Sequence, residues 1–543
     1  MIALGIVQAV DTDGVYVLLP GSKGQLRGPY ETLQTVAVDE RVLVVSTDDG
    51  DSVIAGTVGD GDSISVRAFG AKGDGTTDDT SSIQSAVTAA AGVASVMFPP
   101  GEYLITSRIT VPALSTLTGE PGAQIVQQTA GAAGFRIVGS DVTIQGLTLT
   151  GRHATSTYVH GEDAIQTDTT VGSPLERIRV DRCVVTGWGK YGVWLEHVNG
   201  FWVTDCVIDQ VGYSGATVCS CTDGQISGNR ISNVTAGTSG NTYGIAASAV
   251  ALDVNPQSSD ISIVGNMLYN IAWEALDTHG GHRITFDRNT ITACGRGVAL
   301  VAGKNEAGDQ TYAPIDCVVT NNTIDSLDDG GGAPAGVLVS GAGSGDTVVE
   351  YATGLIASNT IRRHGGGATI SGVYLQYTRG FVVTGNVITE CNRSGIALVL
   401  HNQQTVIASN AFVDVWSGAA FTAGVEVIAS SSCMVIGNLL RAGTKSATML
   451  NNAGIYDFGG AAAGNAVVAY GNDFAAAVTG AYVPNTTPAD LRTPVGDTGG
   501  KIGFFGTAPA AKPTVTGSRG GNAALASLLT QLATLGLIVD SSS

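Results

Sequence analysis

Charge is what this chain has little of: Asp, Glu, Lys and Arg make up only 13% of its 543 residues. The basic sign is the scarcer, 27 Lys and Arg against 46 Asp and Glu, for a formal net charge of −19. That balance offers no basic stripe to a phosphate backbone and argues against a nucleic-acid partner. It leaves neutral glycans, or acidic ones bound with the help of cations. No apolar run reaches ~18 residues, and the N-terminus lacks the basic-then-apolar pattern of a secretory leader. The expectation is a soluble chain made in the cytoplasm, with no membrane insertion. Eight cysteines are present without a single C-x-x-C pair, Cys219 and Cys221 flanking one residue. With no four-ligand spacing, no metal is expected, and buried free thiols are.

Glycine is abundant instead, 75 residues, as expected where tight turns recur every few residues. The turns belong to a repeat. Two or three β-formers, a small or polar residue, an asparagine and an apolar pair recur at Asn229, Asn266, Asn289, Asn322, Asn359, Asn386, Asn410, Asn438 and Asn472. Cys183 and Cys206 hold the asparagine's place upstream, and the shortest spacing, 183 to 206 to 229, is 23 residues. A fixed period of that length with strand-like content predicts an all-β solenoid, here a single-stranded right-handed parallel β-helix. The asparagines read as a structural ladder, stacked amides bonding from coil to coil. A second phrase, G-[VI]-x-[LVA], precedes each of them, as in YGVWLEH at 191 and RGVALVA at 296. Coils starting at Gly244, Gly297 and Gly336 are lengthened by 8, 11 and 9 residues after this strand. Insertions on one side of a stack build a binding face.

Four segments follow. Residues 1–60 alternate apolar and polar in five short runs and predict a closed barrel of OB type. Residues 61–110 lead into the solenoid through a helix, SSIQSAVTAAA, whose Ile83, Ala86, Val87 and Ala90 share one face. Asp78, Asp79 or Thr80 is placed to cap it. Residues 111–490 are the β-helix. Residues 491–543 are a Gly/Pro/Thr-rich linker and a short Leu-rich helix that should bury its face against copies of itself or the stalk.

On each G-V-x-L strand, alternation turns two side chains outward. Two outward constellations carry possible chemistry. Asp168 and Glu196 lie on adjacent coils, about 5 Å apart from strand spacing alone, with Trp194 beside them to stack on a sugar. Such a carboxyl pair suits a retaining glycosidase. Asp277 and His279 point the same way on one strand, an acid orienting an imidazole, with Glu274 at the strand start and His282 just beyond. Tyr374 is a further outward aromatic for substrate.

ISVRAFGAKGDGTTDDTSSIQSAVTAAAGVASVMFPPGEYLIT resembles the lead-in of pectate-lyase-like right-handed β-helices, found in polygalacturonases and many phage tailspikes. The N-terminal runs resemble small OB barrels of phage tail and baseplate proteins. GFFGTAPAAKPTVTGSRGGNAALASLLTQLATLGLI resembles a C-terminal segment of phage tail-fibre proteins. The Asp277-Thr278-His279 phrase is similar to the Asp-Pro-His of alginate epimerases, with Thr where they have Pro. The polygalacturonase catalytic elements are missing. Together the resemblances imply a homotrimeric phage tailspike, part of the virion tail, docked to tail or baseplate proteins through its barrel. It would adsorb to a host cell-surface glycan and depolymerise it, by hydrolysis rather than β-elimination. No cofactor is implied, apart from Ca²⁺ if the reaction is a lyase's. The alternative is a non-catalytic receptor-binding fibre.

Overall fold

The structure is a computed structural model. It describes residues 2–11, 14–18, 25–32, 41–46, 52–58, 63–167, 173–236, 241–249, 252, 254–326, 335–363, 371–391, 393–415, 422–441, 452–458, 467–473, 480–484, 501–502, 510–511, 514–534 and 538–543. Three long parallel sheets, of 14, 15 and 14 strands, stack coil upon coil into a right-handed parallel β-helix. One core of Ile, Val, Leu, Phe and Ala side chains runs through it from Ile64 to Ala469. Each coil contributes a strand to each sheet, and successive strands pair in parallel, as Trp194 does with Thr217 and Thr217 with Ala246.

The asparagine ladder is unbroken from Asn229 to Asn472. Each backbone N–H donates to the next asparagine's Oδ1, Asn229 to Asn266 at 3.0 Å and Asn322 to Asn359 at 2.9 Å. Each Nδ2 donates both to that oxygen and to a core carbonyl, for Asn322 that of Phe286 at 2.9 Å. The residue before each rung has φ between 49° and 68°, which is why the repeat places Gly, Asn, Ser, Asp or Arg there. Cys206 keeps half the pattern: its N–H donates to Asn229 at 2.9 Å, while its thiol reaches Val180 O only at 3.8 Å. All eight cysteines are free and buried.

At the N-terminal end, helix α1 (Thr80–Ala90) buries Ile83, Ala86, Val87 and Ala90 against the open stack. Its Gln84 amide pairs with both backbone groups of Thr110, on the first strand of the 14-strand sheet that begins at Ile109–Val111. Asp79 sits at the N-cap position but makes no cap bond. Its carboxylate instead accepts from Lys72 N and Gly73 N, at 2.7 and 2.9 Å, tying down the preceding turn. The lead-in strand Ser63–Ser65 continues as a 3-10 turn over Val66–Phe69.

Five strands between Ile2 and Val58 close into a barrel around Val7, Val15, Val17 and Val44. Near the C-terminus, α2 (Ala523–Thr534) is capped by Asn522, whose Oδ1 accepts from Ala524 N and Leu525 N. Leu525 and Leu528 on this helix are exposed. No helix among the described residues is long and apolar enough to cross a membrane.

Candidate functional site

The sheet running from Ile109–Val111 to Gly480–Pro484 carries the G-V-x-L strands. Its register builds one outward column in which Gln166, Trp194, Thr217, Ala246, Asp277 and Ala299 stand on successive coils. Asp277 is outward by alternation, yet only 1% exposed. Beyond the end of its strand, Leu252, in the insertion after strand Tyr243–Ser248, packs over Gly280 and Gly303. The Gly303–Lys304 and Gln310–Tyr312 hairpin follows from the next insertion.

Asp277 Oδ2 lies 3.3 Å from His279 Nε2 and accepts from Ser248 Oγ at 3.3 Å. Its Oδ1 is buried and meets no hydrogen-bond donor among the described residues. Glu274 shares the site: one ligating atom from each of Glu274, Asp277 and His279 fits within 4.8 Å. Glu274 is 3% exposed and ion-paired with Arg296, which stacks on Trp273 at 4.4 Å. Burial pushes Asp277 up to about 8, and burial with repulsion from Asp277 pushes Glu274 up to about 7. Burial pulls His279 down, so at neutral pH a protonated carboxyl stands beside a neutral imidazole. The three residues offer donor atoms a cation could use, but Arg296 already supplies positive charge to Glu274.

A row of aromatic rings leads to this centre. Trp194 packs on Tyr191 at 4.7 Å, Tyr191 on Tyr213 at 5.6 Å, Tyr213 on Tyr243 at 5.5 Å, and Tyr243 lies 6.3 Å from the His279 ring. Lys190 Nζ sits 4.7 Å above both Tyr191 and Trp194. Burial raises the Tyr191, Tyr213 and Tyr243 hydroxyls, keeping them neutral donors.

Of the residues read from sequence, the structure brings Glu274, Asp277 and His279 together. Trp194 stands three strands before Asp277 in the column and Tyr374 three strands after, so neither touches the acids. Glu196 is half-buried, its carboxyl raised by burial and eased by His197 and Lys190. Asp168 lies outside the described residues. His282 does not join the group: beyond the Gly280–Gly281 bend its charged neighbours are Glu350, Arg283, Asp316 and Asp260. Arg283 is committed there to Asp260, at 2.6 and 2.7 Å. Sequence reasoning missed Lys190, Arg296 and the three tyrosines. The signal was present in the residue before the repeated glycine, Tyr191, Tyr243 and Arg296.

A family model described as rhamnogalacturonase A/epimerase, pectate lyase-like, matches residues 63–305, a span that encloses this whole centre. A solved structure of bacteriophage phi29 gene product 12 is similar over 84% of this chain and 59% of that one, at 13% identity and a TM-score of 0.55. A non-secreted LysM effector of Penicillium expansum is 44% identical over 64 residues, 12% of this chain and 5% of that protein. A probable glucan endo-1,3-beta-glucosidase of Arthroderma benhamiae is 51% identical over 57 residues, 10% of this chain and 6% of that protein. The chain thus spans about a twentieth of the length of these curated relatives. What the comparisons show is the fold, a right-handed parallel β-helix.

Proposed function

We propose that the chain is a tailspike-type protein that binds a bacterial surface polysaccharide along the Trp194–Tyr243 row and cleaves it at Glu274, Asp277 and His279. The observation that carries this reading is Asp277: an outward carboxyl, almost fully buried, held against a partly exposed imidazole and a second acid. A burial cost of that kind is characteristic of sites that move protons. Protonated Asp277 and neutral His279 form an acid and a base side by side. The proton-donating partner serves the glycosidic oxygen, and the imidazole takes a proton from water in hydrolysis or from a sugar carbon in elimination. Arg296 holds Glu274, which fixes the acid pair from behind. The buried tyrosines and Trp194 offer flat faces and neutral donors to sugar rings. Hydrolysis is the reaction proposed, with Ca²⁺ entering only if the chemistry is elimination.

The homotrimer, the virion-tail location and docking through the N-terminal barrel are proposed with it, on the phage-like character of the two chain ends. Val184, Val207, Met267 and Val387, exposed in one outward column of the third sheet, supply a surface for chain–chain packing. The test is turnover on purified bacterial envelope polysaccharides, following reducing ends and the ultraviolet absorbance of unsaturated product together. Reducing ends alone, lost in His279→Gln, support hydrolysis; both signals move the reaction to elimination. Binding with neither signal leaves a receptor-binding fibre.

A further inference from the structure

Asp277 has an atom that the fold leaves unused. Its side chain is 1% exposed, yet its Oδ1 meets no hydrogen-bond donor among the described residues. An unpartnered buried carboxylate oxygen costs at least about 1–3 kcal/mol unless something outside the chain bonds to it. A sugar hydroxyl could supply one such bond, but the neighbourhood asks for more than one. Glu274, Asp277 and His279 each turn a ligating atom into the same space, and the three atoms lie within 4.8 Å of one another. Two carboxylates and an imidazole nitrogen converge there, a donor set that suits a cation.

The spacing fits an ion. Asp277 Oδ2 and His279 Nε2 are 3.3 Å apart, close to the ~3.4 Å edge of a tetrahedron with ~2.1 Å bonds to its centre. A movement of about 1 Å by the Glu274 carboxyl closes the third side. All three residues stand on one strand, Glu274–His279, paired on both flanks, so the ligands share one rigid base. Each carboxylate also has the outer bond that metal-ligating carboxylates keep. Ser248 Oγ donates to Asp277 Oδ2 at 3.3 Å, and Arg296 Nη1 donates to Glu274 Oε1, leaving Glu274 Oε2 for an ion. Arg296 offsets only one of the two carboxylates, and Lys304, the other cation near His279, is exposed to water. The nitrogen ligand and the small number of protein ligands favour a first-row transition ion over Ca²⁺, which takes about six to eight oxygens.

We propose that Glu274, Asp277 and His279 bind a divalent transition-metal ion such as Zn²⁺, and that the ion shuts the centre down. The blocking effect rests on the reading of this centre as the acid and base of a cleaving enzyme; the binding itself does not. Once bound, the ion holds the Asp277 carboxylate and the His279 Nε2 lone pair. Asp277 then has no proton to give, and His279 has no lone pair with which to take one. The partly exposed edge of His279 is the way in.

The test is titration of the chelator-stripped full chain with CoCl₂, followed by visible d–d absorbance, which strengthens when Co²⁺ leaves octahedral water for a low-coordinate protein site. His279→Gln and Asp277→Asn are titrated in parallel. His279 is partly exposed, so its variant keeps the test sound if buried Asp277→Asn fails to fold. The expected result is saturation at one ion per chain, displacement by Zn²⁺ but not by Ca²⁺, and affinity about tenfold or more weaker in either variant. No absorbance beyond that of the aqueous ion, or wild-type affinity in His279→Gln, overturns the site and leaves only adventitious binding to surface acids. Turnover on envelope polysaccharide is then compared with chelator and with one equivalent of Zn²⁺. Loss of turnover with Zn²⁺, reversed by chelator, supports the block; equal or faster turnover overturns it while the site stands. If no turnover appears under either condition, the proposed function falls and the block with it, and the Co²⁺ titration still decides the site.

Discussion

At the scale of single residues, the centre depends on two groups that burial drives in opposite directions. His279 is the more exposed, 31% against 1% for the Asp277 side chain, and it is the one a substrate meets first. Replacing it with Gln should lower turnover by about 10²- to 10⁴-fold, the range for loss of a general acid or base, with little change in melting temperature. Asp277→Asn should be comparably inactive but differ in stability. The Asp277 carboxyl is raised from its ordinary 3.8 to about 8, so folding keeps a proton that the unfolded chain releases. Its contribution is fully present below about pH 4 and is lost as pH rises through about 8. Wild-type melting temperature should therefore fall between pH 6 and pH 9, and the fall should be shallower in Asp277→Asn. An unchanged slope would mean that the carboxyl is ionised throughout.

At the scale of the element, the ladder was legible because its geometry forces a residue type at a fixed place. A left-handed turn needs Gly or a short polar residue, and the rung after it needs a side chain that both donates and accepts. The tyrosine row was not legible in the same way. Tyr213 stands two residues before its glycine and Tyr191 and Tyr243 one, so no single spacing marks them; the parallel register of adjacent strand starts brings the rings together. Burial of Asp277 was likewise invisible, since alternation predicts which way a side chain points and not what packs around it. The ladder itself makes a two-sided prediction. Asn322→Ala strips partners from Asn289 and Phe286 and should cost about 3 kcal/mol in denaturant unfolding. Cys206→Asn should extend the ladder by a rung, since an amide there reaches both Val180 O and Asn229 Oδ1, and should be neutral or stabilising by about 1 kcal/mol.

At the scale of the whole molecule, the strands of each coil pair only with those of its neighbours, so stability is close to a sum over rungs and interfaces, and the ends govern where the stack opens. The repeat period made this architecture readable, and the apolar stripe of α1 made its cap readable. The side-chain pairing that seats the cap, Gln84 on Thr110, could not be read, because it joins residues whose proximity only the coil creates. Val87 is fully buried beneath the cap. Val87→Asp would place a charge against the core and should cost about 3 kcal/mol or more, enough to lift α1 from the stack. The loss should be local. Ile109–Val111 would become a bare strand edge, and amide exchange should accelerate there and in the following coils. The rungs around Asn322, many interfaces away, should keep their protection. Uniform acceleration along the chain would instead show that the β-helix opens as one cooperative unit, with the cap holding the site and the distant coils together.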